Sequence, residues 1–491
     1  MSTSALFTDF YSLTMAQGFW KNKRTECAVF EMFFRQNPFG GGYSIFAGLG
    51  TLLEKLSSFS FSDEDIAYLK TLDVFEDGFT DYLKSFSFKG ALWAMDEGTV
   101  VFPHEPVIRV EGNLVECQII EGLILNVINF QMLVATKTCR IWLASGKGNV
   151  MEFGLRRAQG PDGAMSASRA AFIGGANGTS NTLAGKIFGI PVMGTMAHSW
   201  IMSFDKEEEA FDAYAQLYPQ RSIFLIDTYD TLKSGIYSAI NVGKKLAAKG
   251  INFGVRLDSG DIQYLSVEVR KKLDEAGLKK AFITVSNDLD ENIIETLVKE
   301  HAPVDSWGVG TRLVTGASAA AFPGVYKLAS LMKNSESNPP SKIIHVPVMK
   351  FSDNPEKTTN PGVKQVWRIK DKNASAVADV LGIDDNSEKS DVLKEGERYC
   401  FWHPAADYRN FVHTIEGSVE PLLKKRIDGG VLKEDKKTLT EIKSHAVSDL
   451  ECFDSTYKRL LNPHIYKVSM TGNLRSLKLE LIQKHLGSKN S

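Results

Sequence analysis

The sequence predicts an α/β fold in which repeated βα units surround a parallel sheet or barrel, joined to a separate α+β layer. Two observations carry this. Between Met151 and Leu328, short apolar runs stop abruptly in polar, glycine-rich or charged residues, and most are separated by enough chain for one helix. The spacing, roughly thirty residues per unit, is that of barrel units. The flanking stretches, 1–115 and beyond 328, lack this rhythm.

The runs are VMEFG (150–154), IPVMGTMAH (190–198), SIFLIDTYD (222–230), NFGVRLDSGD (252–261), AFITVSND (281–288), SWGVGT (306–311) and GVYKL (324–328). In parallel α/β folds chemistry gathers at the carboxyl ends of strands. Those ends carry Arg156, Arg157, Thr195, His198, Asp227, Arg256, Asp258, Asp261, Asn287 and Thr311. Such a ring suits a phosphorylated, multiply charged ligand.

Between the runs, helices are legible. Lys206 to Leu217 starts acidic, with Asp205 and Glu208 spaced as a capping box and Ala210, Phe211, Tyr214 and Leu217 on one stripe. Thr231 to Lys249 turns Ile236, Ile240 and Val242 inward and ends in Lys-Gly, and Glu291 to His301 repeats the stripe. The apolar segment 117–135 is interrupted by Gln118, Glu121, Asn126, Asn129 and Gln131, which favours a buried helix over a membrane span. Residues 333–342 and 352–362 read as proline-bearing loops, and 487–491 as a frayed end.

Composition narrows the function. At 491 residues, two domains are expected, and a net charge of −2 attracts neither nucleic acid nor an anionic membrane globally. Five cysteines without CxxC spacing argue against a disulfide framework or zinc ribbon. The amino terminus lacks the order of a signal peptide, so a cytoplasmic location is expected.

Several segments carry chemistry. In EFGLRRAQGPDG (152–163), paired arginines follow a strand, where guanidinium groups bind phosphate or carboxylate. Phe153 beside them is either core or an aromatic face for a flat heterocycle. GGANGTSNTLAG (174–185) opens a helix, but Ser180 and Ile187 stand where a Walker A motif needs glycine and hydroxyl. In GTMAHSW (194–200), His198 follows an apolar strand with Thr195 near, and can serve as acid, base or phosphate acceptor. In GVRLDSGD (254–261), Arg256 and Asp258 alternate and so share a strand face, suiting a ribose diol, Mg²⁺ or a phosphate. WGVGT (307–311) ends a strand in a turn whose backbone N–H groups can approach a phosphate.

Taken in order, these segments resemble the nicotinate phosphoribosyltransferase family over most of the chain. The likeness extends to TDFYSLTMAQGFW (8–20), FEMFFRQNPFGGGY (30–43), VSND (285–288), GVYKL and DNPEKTTNPG (353–362). It implies the irregular α/β barrel of type II phosphoribosyltransferases, with a second α+β domain built from the N- and C-terminal parts. The expected division is 1–130, 131–342 for the barrel, and 343–491 completing the N-terminal layer.

The resemblance also implies roles. Phe153 and Tyr11 match the aromatic pair that sandwiches the pyridine ring, Tyr11 reaching across a homodimer interface into a shared active site. Thr195 and Arg256 match nicotinate-contacting positions, with Arg156 a further candidate for anionic groups. His198 matches a histidine phosphorylated by ATP, and Gly308, Gly310 and Thr311 match a phosphate-holding turn. Ser180 matches a position that is acidic in nicotinamide-using relatives; serine removes a repulsion toward a carboxylate substrate. The implied reaction is an ATP-coupled joining of nicotinate to phosphoribosyl diphosphate in NAD biosynthesis by salvage, with Mg²⁺ as cofactor and no identified metal ligands. Catalytic candidates are His198, Asp258 and Arg256. The alternatives are nicotinamide phosphoribosyltransferase and a non-catalytic nucleotide-binding relative.

Overall fold

The computed structural model describes residues 3–24, 26–334, 343–354, 357–406, 408–433 and 437–487. The loop expected at 333–342 lies outside them from 335 onward, as do residues 355–356 of the second loop and the terminal 488–491. The chain forms two compact units. One comprises Met1–Met132, Ala321–Thr438 and Ser444–Ser491; the other comprises Leu133–Ala320 with Leu439–Lys443.

The first unit holds two large sheets and a two-stranded one, Ser44–Ile45 with Val100–Val101. A seven-stranded antiparallel sheet runs in the order Ile343–Pro347, Gly324–Asn334, Cys27–Phe34, Ile108–Asn113, Ala91–Ala94, Lys424–Asp428 and Val431–Leu432. Here the run GVYKL departs from expectation. Rather than closing the parallel sheet, it pairs antiparallel with Cys27–Phe34, with Phe30 opposite Leu328 and Met32 opposite Tyr326. An apolar run fits a buried strand in either orientation; the partner surface decides. Phe30 and Tyr326 stack with ring centres 4.9 Å apart, and the Tyr326 hydroxyl donates to the Cys117 carbonyl at 3.1 Å. A six-stranded sheet that includes the long pair Lys364–Lys370 and Ala376–Ile383 packs around Ile369, Val380, Phe401 and Ile415.

His104 occupies a left-handed turn in this unit (φ 76°), its N–H donating to the Phe34 carbonyl at 2.7 Å. Burial, then the nearby His403, Lys478 and Arg35, push its pKa down to about 4. An unfolded chain with an ordinary histidine takes up this proton from about pH 6.5 downward, whereas the folded protein resists until about pH 4. Stability should therefore fall as pH drops through that window, by on the order of 3 kcal/mol in all. The variant His104→Asn, which tolerates positive φ, should lose about 2 kcal/mol less between pH 7 and 4.5. Denaturant titrations of both proteins test this, and equal losses would show that the ring does not resist protonation.

The second unit holds a parallel sheet in the order Gly178–Thr179, Asn149–Glu152, Ser306–Val309, Phe282–Asn287, Gly254–Leu257 and Ile223–Leu225. Val150, Phe224, Val255, Ile283, Val285 and Val309 are fully buried, as expected of a parallel sheet covered on both faces. The run 190–198 forms no ladder strand; it contributes one parallel bridge, Val192 to Thr179. Gly178–Thr179 takes the edge position, too short to show an apolar run in the sequence.

Helices follow the strands. Asp261 caps Ile262–Glu275 by accepting the Tyr264 N–H at 3.1 Å, and Asp290 caps Glu291–Lys299. The capping box expected of Asp205 and Glu208 is absent. The helix runs Glu207–Leu217 from Lys206, one residue out of register with that pair, and Leu217 is exposed while Ala210 and Phe211 are buried. Helix Glu121–Ala144, long and apolar enough to cross a membrane, has 72% of its most apolar stretch buried inside the protein.

Candidate active site

The carboxyl ends of the parallel strands open into one cavity of about 330 Å³, lined by Phe153, Arg156, Ser180, Thr195, Arg256, Asp258, Gly308, Gly310 and Thr311 among others. All nine are candidates from the sequence, and the fold brings them together from five separate segments. Tyr11 lies in the other unit, half exposed on helix Phe10–Lys21. Asp261 is spent as a helix cap.

Arg256 organises the cavity. Its Nε donates to Ser286 Oγ at 2.7 Å and its Nη1 to Thr195 Oγ1 at 2.8 Å and the Met196 carbonyl at 3.3 Å. Nη2 donates to Asp258 Oδ1 at 2.6 Å. A guanidinium engaged on every nitrogen has one orientation, so it presents a fixed fork rather than a floppy charge. Asp258 Oδ1 also accepts the Ser286 hydroxyl. Burial acts to raise the Asp258 pKa, but the Arg256 charge, the Ser286 hydroxyl and the His198 imidazole outweigh it and hold the carboxyl below its usual range. Asp258 is thus anionic at neutral pH.

His198 stands beside this pair at the start of helix His198–Met202, its Nε2 3.7 Å from Asp258 Oδ2. Its Nδ1 lies 3.1 Å from Thr228 Oγ1. With the proton on Nδ1 directed to that hydroxyl, Nε2 keeps a free lone pair. Asp227 lies behind: its Oδ2 accepts the Asp258 N–H at 3.0 Å and the Ser259 hydroxyl at 2.5 Å, while its Oδ1 is buried without a hydrogen-bond partner.

The opposite wall is aromatic and backbone. A Cβ on Gly308 would sit 2.7 Å from the Phe153 ring, so only glycine lets that ring lie over the strand end. The Phe153 N–H donates to the Val309 carbonyl at 2.8 Å, and the Arg256 guanidinium lies 5.9 Å from the ring centre. Beyond, Gly308–Thr311 exposes backbone to the cavity. Arg156 and Arg157 project from the turn Leu155–Arg157, both exposed, and neither has an acidic partner among the described residues. They are cations free to meet an anion.

Sequence reasoning missed Ser286, Thr228 and Glu152. Ser286 sits at the end of an apolar strand, and its polar type at that position was the available signal. Thr228 and Glu152 are ordinary residues beside more conspicuous ones, and only their contacts single them out.

A family model for the nicotinate phosphoribosyltransferase family matches residues 149–385. Models of that family's N-terminal and C-terminal domains match 6–129 and 363–478. The chain is 39% identical over 484 residues to nicotinate phosphoribosyltransferase of Bacillus subtilis, covering 98% of this chain and 95% of the relative. It is 31% identical over 532 residues to that of Homo sapiens, covering 96% and 95%. A crystal structure of human nicotinic acid phosphoribosyltransferase superposes with a TM-score of 0.83 at 29% identity, covering 96% of this chain and 99% of that one. The fold is that of a phosphoribosyltransferase, and the cavity lies at the carboxyl ends of its parallel strands. All three segments that the family models describe are present here, in order. The chain belongs to the nicotinate phosphoribosyltransferase family.

Proposed function

We propose that this enzyme joins nicotinate to phosphoribosyl diphosphate, releasing diphosphate and forming nicotinate mononucleotide in the salvage of nicotinate for NAD, with ATP hydrolysis coupled. The observation that carries this is the fixed Arg256–Asp258 pair facing Phe153 across one cavity. It offers an aromatic face, a cationic fork and a carboxylate within a single small space.

In the reaction the pyridine nitrogen bonds to ribose C1 as the C1–O bond to diphosphate breaks. Phe153 gives the flat ring a face, and Arg256 gives the nicotinate carboxylate a fixed positive charge and the one N–H on Nη2 that its four internal bonds leave over, with Thr195 holding the guanidinium in place. Asp258, anionic, opposes the positive charge that grows at C1. Backbone N–H groups at Gly308–Thr311 suit the 5-phosphate, and Arg156 suits the remaining anionic oxygens. Mg²⁺ fits the acidic side: Asp258 and the unpartnered oxygen of Asp227 are the carboxylates on offer, and the ion would neutralise charge on the leaving diphosphate.

His198 supplies the link to ATP. Its Nε2 lone pair attacks the γ-phosphorus and ADP departs; water later cleaves the P–N bond, so each cycle consumes one ATP and one water. The added phosphate charge would order the side of the site that holds the diphosphate and any Mg²⁺ bound there. We further propose a cytoplasmic homodimer in which the exposed Tyr11 of one copy serves the site of the other.

Pure protein incubated with nicotinate or nicotinamide, phosphoribosyl diphosphate and Mg²⁺, with and without ATP, tests the reading. Nicotinate mononucleotide should form, faster with ATP. Turnover of the amide at least as fast as the acid would overturn the substrate assignment. His198→Asn should retain a basal rate and lose all stimulation by ATP; equal acceleration in the variant would remove the phosphohistidine step.

A further inference from the structure

The carboxyl group of Glu152 lies behind the cavity wall, 1% exposed, and takes no part in the proposed chemistry. Three donors from three segments converge on it. The Gly154 N–H meets Oε1, while Ser168 Oγ at 2.9 Å and Thr179 Oγ1 at 2.5 Å meet Oε2. The Glu152 carbonyl also accepts the Ser180 N–H at 2.9 Å. Two of these segments carry residues of the cavity: Phe153 sits between Glu152 and Gly154, and Ser180 follows Thr179.

We infer that Glu152 is a positioning residue that fixes Phe153 against Ser180 and so sets the width of the pyridine subsite, an inference resting on the nicotinate reading above. The surroundings leave the turn little other freedom. A Cβ at Gly154 would meet Val314 Cγ1 at 2.2 Å, so the backbone there lies tight against its neighbour and its direction depends on the N–H bond to Glu152. At the far side, Thr179 Oγ1 both donates to Glu152 and accepts the Asn181 N–H at 3.0 Å, which fixes the peptides flanking Ser180. A satisfied buried network of this kind has one arrangement and transmits it to the residues it holds. The Glu152 side chain makes no hydrogen bond to the 5-phosphate turn at Gly308–Thr311, which meets this segment through the Phe153 N–H to Val309 carbonyl bond, a ladder contact that substitutions at 152 and 179 leave in place. The two substrates should therefore respond differently.

The test is steady-state kinetics and melting temperature for Glu152→Gln, Thr179→Val and Thr179→Ser. An amide at 152 brings an NH₂ where only donors point, and valine removes one donor, whereas serine keeps it. We expect Glu152→Gln and Thr179→Val to raise the nicotinate KM about tenfold while the phosphoribosyl diphosphate KM changes less than twofold, with Thr179→Ser close to wild type. An unchanged nicotinate KM in the valine variant overturns the proposal. So does a uniform fall in every kinetic parameter and in melting temperature that serine does not rescue, because that pattern marks a purely structural role. Should Glu152→Gln fail to fold, the valine and serine pair still decides. Absence of nicotinate turnover in the wild type would instead overturn the functional reading, and this inference with it.

Discussion

Replacing Asp258 with Asn should lower kcat by roughly two to three orders of magnitude, with a smaller effect on either KM. The carboxylate has two tasks that an amide cannot share. It neutralises Arg256 through the 2.6 Å bond, and it presents negative charge where positive charge develops on the sugar. Asparagine keeps the shape and one acceptor but leaves the guanidinium without its counter-charge. Asp258 is 29% exposed in its side chain but Arg256 only 13%, so the uncompensated guanidinium should also lower the melting temperature, which is measured alongside. Rapid-quench measurement of the chemical step checks this. A variant with near-normal kcat would show that the carboxylate orients Arg256 and nothing more.

Ser180→Asp should reverse the discrimination between acid and amide. A carboxylate there would face the substrate carboxylate inside a small cavity, where two like charges about 4 Å apart repel by about 4 kcal/mol at the effective dielectric of such sites. Arg256 and Arg156 offset part of this, so nicotinate kcat/KM should fall about 100-fold. Nicotinamide, which has an NH₂ to donate, should lose little or gain. Measuring both substrates with one enzyme preparation gives the ratio directly. If both fall equally, residue 180 acts through shape rather than charge.

Much of the site was legible because barrel strands advertise their ends. An apolar run that breaks into Arg-Leu-Asp or Gly-Val-Gly-Thr marks where the backbone leaves the core, and polar side chains there have no bland use inside a sheet. Phe153, Arg256 and Asp258 were found this way. Ser286 was not, although it bridges Arg256 and Asp258, because a serine at a strand end reads equally well as a turn residue. Glu152 was given no role. Its three donors come from residues 2, 16 and 27 positions away, and no local pattern carries that information.

The sequence by itself determined the class of fold, the family and the identity of the residues at the strand tips, because periodicity and strand-end chemistry are local properties of the chain. Tertiary structure alone decided the partner of the Gly324–Asn334 strand, the edge strand Gly178–Thr179 and the single orientation of Arg256. Those depend on which distant surfaces meet: backbone groups pair with whatever strand is adjacent, and a guanidinium settles only when four acceptors from three segments close around it.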